Sequence, residues 1–446
     1  MAKLFFRIIF FFCLATFDQS VSAQSGLPKK AVQAFQLPDR RDVTIYQVNM
    51  RTFSKEGNFK GVVARLDSIK ALGVNVVYLM PVFPVGILKS SNSPYCVKDY
   101  LGINTEFGTL ADLRSLIDGA HQRKMAVLLD WVGNHTSWDN PWIKNKDWYK
   151  QDSVGNIVSP KGWNDVAQLN FDNQAMRLNM INDMQYWVKT TNIDGFRCDY
   201  ADGPPADFWK QAIDSLRKNA NHRLLMLAEG QREANYAAGF DYNFGFSFFE
   251  NLEAIYKKNK PVQSIDSLNV ANYAGTTNGQ QTVRYITNHD VNGSDGTPLE
   301  LFGGKKGSMA AFVVVACMKG VPMIYNGQEV GTPYRLVFPF TSAKINWAIN
   351  PEVTAEYKKI IAFRNASDAI RRGTLTSYTN ADVCAFTKAA GTEKVFVISN
   401  LRDKPVSFSV PAAVAANPWK DAFTGLKRKL NRTVNLEPYS YIILKN

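Results

Sequence analysis

From residue 43 onward, short apolar β-rich runs alternate with segments whose apolar positions recur at helical spacing. Residues 43–50 read as a strand, and 61–72 as a helix through Val62, Leu66, Ile69 and Leu72. Residues 74–80 form a second strand stopped by Pro81, 110–124 a helix, and 125–130 a nearly all-apolar strand. The alternation continues with a helix over 175–190, a strand over 193–199, and a helix over 204–218 with proline in its first turn. Strands follow at 223–229 and 240–244. Residues 283–288 and 321–325 supply the seventh and eighth, with helices over 307–319 between them and 352–371 after them.

Eight strands apolar on both faces, interleaved with helices, are what a closed parallel barrel requires. A doubly wound sheet would need a glycine-rich phosphate loop after the first strand, and none is present. The expected fold is therefore α/β, a TIM (β/α)8 barrel spanning 24–372. Residues 131–172, rich in Trp, Asn, Asp and Lys, interrupt the alternation as a short inserted loop domain after strand three, a kind of excursion that usually carries function. After residue 372 the helical signal ends. Runs such as 395–399 and 439–444, separated by turn residues, predict a C-terminal all-β sandwich over 373–446.

The N-terminus changes the picture of where the chain works. Lys3 and Arg7, the apolar run over 4–17, and Val21-Ser22-Ala23 have the order of a secretory signal over 1–23. Cys13 lacks the small residues that precede a lipid attachment site. The expectation is export to the periplasm or beyond, with no later stretch apolar enough to span a membrane. A hydrophobic share of 46% and a charged share of 20% suit a large globular core. The net charge of +13 could attract anionic partners, but no Lys/Arg block, helix-turn-helix or zinc spacing accompanies it, so nucleic acid is not an expected partner. Cys96, Cys198, Cys317 and Cys384 are too widely and irregularly spaced for a disulfide framework or a metal knuckle. Nothing in the pattern specifies an oligomeric state.

In such a barrel the chemistry lies at the C-terminal strand ends. Strand three ends in Asp130, with Asn134 and His135 beyond it. Strand four ends in Arg197 and Asp199, strand five in Glu229, and strand seven in Asn288, His289 and Asp290. Each could singly be a cap or a salt-bridge partner. Together, three carboxylates and an arginine at one mouth point to glycoside hydrolysis, where one carboxylate attacks the anomeric carbon and a second donates a proton. Arg197, two residues before Asp199, shares its face and is expected to lower that carboxylate's pKa. The apolar run before Glu229 is expected to leave it a partly desolvated, protonated acid.

Four short motifs carry a family resemblance. Asp130-Trp131-Val132-Gly133-Asn134-His135, Gly195-Phe196-Arg197-Cys198-Asp199, Ala228-Glu229 and Asn288-His289-Asp290 resemble, in order and spacing, those of the α-amylase family (glycoside hydrolase family thirteen). The likeness runs from about residue 43 to 371. It implies Asp199 as the nucleophile of a covalent glucosyl intermediate, Glu229 as acid and then base, and Asp290 as a holder of the sugar hydroxyls. It implies substrate contacts from Arg197, His135 and His289, and a glucose platform at Tyr95 in Ser93-Pro94-Tyr95. The implied substrate is an α-1,4-linked starch-type glucan or malto-oligosaccharide, and the implied reaction is retaining hydrolysis.

The departures refine this. Cys96 follows Tyr95 where exo-acting α-glucosidases usually carry Asp, which favours internal cleavage or short-oligosaccharide binding. Gln168 replaces a frequent calcium-binding Asp, and Asp202-Gly203 lacks the Lys-His pair of calcium-dependent members. Asn134 alone carries over as a calcium ligand, too few for an ion that takes about 6–8 oxygens. No cofactor is expected to be required, and no metal-ligand set is assigned. Two alternatives share the motifs: a transglycosylase or isomerase using the same intermediate, and an inactive glucan-binding protein, which the intact Asp199, Glu229 and Asp290 disfavour.

Overall fold

The computed structural model describes residues 35–446; the expected signal over 1–23, with Cys13, lies outside them. Eight short strands close into a parallel barrel. In chain order the first three are β1 (Ile45–Val48), β2 (Val76–Leu79) and β3 (Ala126–Val132). A separate antiparallel hairpin follows, β4 (His135–Ser137) with β5 (Val166–Gln168). The barrel resumes with β6 (Gly195–Asp199), β7 (Leu225–Ala228), β8 (Tyr242–Phe244), β9 (Gln281–Arg284) and β10 (Val321–Tyr325), which returns to β1. Every residue of β1, β2, β3, β6, β7 and β10 is buried, as strands covered by helices outside and packed side chains inside must be.

Local chemistry sets the helix ends. Thr109 and Asp112 form a reciprocal capping box that starts the helix Leu110–Gln122. Asn173 caps Gln174–Thr191, and Pro205 precedes Ala206–Asn219. The helix expected over 352–371 divides, because the Ser367 hydroxyl accepts the Ile370 N–H and starts a second helix, Asp368–Arg372, after Pro351–Ala366. The strand expected over 283–288 lies earlier, at Gln281–Arg284. Its ladder to β10 ends where Arg284 faces Pro322, which has no N–H to donate. Two helices between β8 and β9, Phe246–Lys257 and Ser264–Ala271, were not among the expected elements.

The excursion after strand three folds as the β4–β5 hairpin with two short 3-10 turns, Pro141–Lys144 and Lys146–Trp148. From Thr374 onward all strands are antiparallel. A six-stranded sheet is built from β11 (Thr374–Ser377), β12 (Val383–Ala390), β13 (Glu393–Asn400), β15 (Trp419–Asp421), β16 (Lys427–Arg428) and β18 (Tyr441–Lys445). A two-stranded sheet pairs β14 (Val406–Ser409) with β17 (Thr433–Leu436). Phe396, Ile398, Phe408, Trp419, Leu436 and Leu444 share one core between the two sheets, a sandwich arrangement. All four described cysteines are free and buried. Among the described residues no helix is long and apolar enough to cross a membrane.

Candidate active site

Strand register brings the polar residues of the mouth together. On β3 and β6, Asp130 is the direct neighbour of Arg197, and Asp199 follows Arg197 by two residues on the same face. Asp130 lies within β3 rather than at its end, because the strand runs on to Val132. Gly195 opens β6 at φ +143, and a Cβ there would stand 1.8 Å from the Leu225 carbonyl oxygen, so the close β6–β7 contact requires glycine.

Arg197 is fully buried and its guanidinium binds three carboxylates. Nη1 donates to Asp130 Oδ1 at 2.6 Å and to Asp199 Oδ1 at 3.0 Å, while Nη2 donates to Glu229 Oε1. Glu229 follows β7 directly. Its Oε2 accepts the Tyr200 N–H at 2.8 Å, and its own N–H donates to the Cys198 carbonyl at 3.0 Å. The expected apolar setting of this carboxyl is therefore replaced by two donors, because Glu229 stands just past the buried strand β7, where Arg197 and the Tyr200 N–H reach it. Tyr200 adopts φ +41, a costly backbone for a bulky residue, and this turn aims its N–H at Glu229.

One cation among three acids leaves an excess of negative charge in a dry site. Burial pushes Asp130 up to about 6, with Arg197 and Tyr78 pulling the other way. Asp199 is raised well above the usual carboxylate range, first by burial and then by the charge of Glu229. Arg197 pulls the Asp199 pKa down as expected, but burial and the charge of Glu229 on the same guanidinium outweigh it.

A hydrogen-bonded chain extends across the mouth. Asp130 Oδ2 accepts the hydroxyls of Tyr78 at 2.6 Å and Tyr95 at 3.0 Å. The Tyr95 hydroxyl lies 2.7 Å from His289 Nε2, and Gln47 Nε2 lies 2.7 Å from His289 Nδ1. The Gln47 amide nitrogen can only donate, so with Gln47 Nε2 facing His289 Nδ1 the network assigns the His289 proton to Nε2. Burial lowers His289 to about 3 and His135 to about 4, so both imidazoles are neutral near pH 7. Tyr95 stacks on His289 with ring centroids 5.3 Å apart. Asp290 stands at the rim with 57% of its side chain exposed and Oδ1 3.3 Å from His289 Nε2; the Asn288 side chain holds its turn through the N–H groups of Asp290 and Val291.

Tyr95, His135 and Asp199 line a cavity of about 230 Å3 together with Ser93, Trp163, Asp165 and Val166. Trp163 packs edge-on between His135 and Tyr200, at 5.7 and 5.3 Å. All seven residues singled out from the sequence thus converge. Gln47, Tyr78, Asp165, Trp163 and Tyr200 were missed, although a lone polar Gln47 inside the apolar β1 run was a readable signal. The positions weighed for calcium are engaged by other side chains. Asn134 Nδ2 lies 3.3 Å from His135 Nδ1, and Asp202 is engaged by Arg232, Asn235 and the Gln231 N–H. Among the described residues no three His, Cys, Asp or Glu side chains gather as a metal-binding group.

Residues 34–343 match the family model for the α-amylase catalytic domain. Alpha-amylase 2 of Dictyoglomus thermophilum is 25% identical over 83% of this chain and 67% of its own length. Alpha-amylase MalA of Haloarcula japonica is 25% identical over 83% of this chain, which spans only 57% of that relative. A solved α-amylase from Lactobacillus plantarum superposes with a TM-score of 0.79 at 26% identity, covering 91% of this chain and 99% of that one. A barrel with these carboxylates at its mouth, matched by that model over more than half of the sequence, belongs to the α-amylase family of glycoside hydrolases.

Proposed function

We propose that the protein hydrolyses α-1,4-glucosidic bonds of starch-type glucans or malto-oligosaccharides with retention of configuration, through a glucosyl ester on Asp199. The observation that carries this reading is the single Arg197 guanidinium shared by Asp199 and Glu229. Two carboxylates on one planar fork are close neighbours. That favours the separation of about 5 Å used by retaining enzymes over the roughly 6.5–9.5 Å that leaves room for a water between the pair.

In this reading Asp199 attacks the anomeric carbon as Glu229 gives its proton to the glycosidic oxygen. The carbon–oxygen bond to the leaving sugar breaks, and that sugar departs as a neutral alcohol. Water then enters from the Glu229 side, loses a proton to Glu229 and displaces Asp199, which returns the α-anomer. The cluster has a proton to share, because burial and mutual repulsion oppose ionisation of all its acids at once. Arg197 keeps Asp199 in place to attack. Asp290 and His289 hold hydroxyls of the reacting ring, and Tyr95 offers an apolar face to its C–H surface.

No cofactor takes part in this proposal. Export to the periplasm or outside, proposed from residues 1–23, predicts a mature chain beginning at Gln24. The test of function is incubation with starch, pullulan and maltohexaose, followed by separation of products over time. Shortened sugars are the expected result. Products longer than the substrate would move the reading to transglycosylation, and no cleavage of any of the three would overturn it.

A further inference from the structure

A second polar cavity lies at the end of the barrel away from Asp199. Gln281 opens β9, Gly320 immediately precedes β10 and Arg41 comes just before β1, so the cavity sits where the parallel strands begin. Its other side is Gly373, which leads into the C-terminal sheet, and Lys388 on β12. The volume of about 260 Å3 falls below the ~300–1,000 Å3 of pockets that take drug-sized ligands, so it suits a small molecule. Arg41, Lys319, Arg371, Arg372 and Lys388 line it, and no Asp or Glu does.

These cations differ in how they are compensated. Arg41 is held by Asp39, and Arg371 and Arg372 by Asp42 and Asp368. Among the described residues Lys319 and Lys388 pair with no carboxylate. Lys319 Nζ donates to the Asn269 carbonyl at 2.7 Å and lies 3.8 Å over the Tyr273 ring. Lys388 is 5% exposed, and its ammonium donates to the Ile370 carbonyl. An ammonium has three protons, so each lysine keeps donors to spare. Behind this wall Arg364 is fully buried with only the carbonyls of Arg41, Val43 and Gly320 as partners, and its Nε has none. Asp42, whose charge Arg364 feels, is already shared by Arg371 and Arg372. Carbonyl oxygens satisfy hydrogen bonds but leave the charge itself uncompensated in a dry region, which is costly. Burial lowers Lys388 to about 7, and the charges of Arg364, Arg284 and Lys319 act in the same direction. An anion in the cavity offsets this surplus.

We propose that this cavity binds a phosphate group, as inorganic phosphate or as a hexose phosphate, between Lys319 of the barrel and Lys388 of the C-terminal sheet. A phosphate carries between one and two negative charges near pH 7 and offers acceptor oxygens in several directions. It can therefore take protons from both ammonium groups at once, whereas a halide or a single carboxylate neutralises only one charge. Bound there, it ties the base of the barrel to the C-terminal sheet. The site is independent of the hydrolase reading, since the catalytic carboxylates stand at the opposite ends of the strands.

The test is calorimetric titration of the whole protein with sodium phosphate and with glucose 6-phosphate at constant ionic strength, alongside thermal unfolding in each anion. The unaltered protein should show saturable binding of at least one of the two, and that anion should raise its Tm. Lys388→Met and Lys319→Met should each weaken binding by about 10- to 100-fold, the scale of a lost charged hydrogen bond, and abolish the rise in Tm. Lys305→Met, which removes an exposed ammonium paired with Glu352, should leave the affinity within about twofold. Cleavage of starch should be unchanged in all three. Tighter binding of glucose 6-phosphate identifies the ester as the occupant, and tighter binding of phosphate identifies the free ion. Should Lys388→Met fail to fold, the half-buried Lys319 still carries the comparison. No saturable binding of either anion overturns the proposal, as does binding that Lys319→Met and any folded Lys388→Met leave unchanged. A purely structural role for the lysines predicts one of those two results.

Discussion

Two buried arginines of one barrel have opposite surroundings. Arg197 and Arg284 are both 0% exposed. Arg197 meets three carboxylates at the C-terminal mouth. Arg284, the last residue of β9, meets none: Nη2 donates to Asn269 Oδ1 at 2.9 Å, its guanidinium lies 4.0 Å over the Phe248 ring, and Nε and Nη1 have no partner. Burial consequently lowers Arg284 to about 10, whereas the carboxylates around Arg197 hold it well above the ordinary arginine value. A buried charge alone is therefore no mark of function. The mark is an excess of acids around it, which leaves a shared proton in a dry site and a carboxylate free to attack.

The sharpest way to break this contrast is to remove the acids one at a time. Asp199→Asn should lower kcat by on the order of 10^4-fold or more, since no ester can form. An amide that retained full activity would remove Asp199 from the mechanism. Glu229→Gln should lose about 10^2–10^4-fold on glucans. It should lose much less on an aryl glucoside whose leaving group needs no proton, measured as the ratio of kcat/KM on the two substrates.

How far these residues could be read from the sequence depended on their physical role. The strands of the barrel were legible because burial on both faces leaves long apolar runs, and Arg197, Asp199, Glu229, His289 and Asp290 were legible as polar interruptions at their ends. His135 was legible just beyond strand three, and Tyr95 came from the resemblance of its motif. The Glu229 environment was not legible, because its donors come from β6 and the Tyr200 turn, across the barrel wall rather than along the strand. Asp165 was also hidden, because it reaches the cavity wall only once the excursion after β3 folds over the mouth. The helix Phe246–Lys257 carried a readable stripe in Phe248, Phe249, Leu252 and Ile255, and it was simply not assigned.

Replacing the arginines sharpens the same comparison. Arg197→Met should reduce kcat/KM by about 10^3-fold, from the loss of charge stabilisation in a dry site, and should cost roughly 3–5 kcal/mol of stability by leaving buried carboxylates unpaired. Both are read from kinetics and denaturant unfolding. The pH profile is a smaller effect. Asp130 is raised to about 6, so as pH falls through 6 it takes up a proton and its ion pair with Arg197 is lost. The kcat/KM should therefore decline on the acid side below about pH 6, and Asp130→Asn should flatten that limb. Arg284→Met should change least. Activity should stay within about twofold and stability within ~2 kcal/mol of either sign, since a poorly partnered charge is exchanged for an apolar chain of similar length.

The central claim, that Asp199 attacks and water later displaces it from the same side as the departed sugar, is tested most directly by following the anomeric protons of the product. Proton NMR in the first minutes of maltohexaose cleavage, before mutarotation, should show the new reducing end as the α-anomer. A β-anomer at that stage would contradict the double displacement and the role assigned to Asp199.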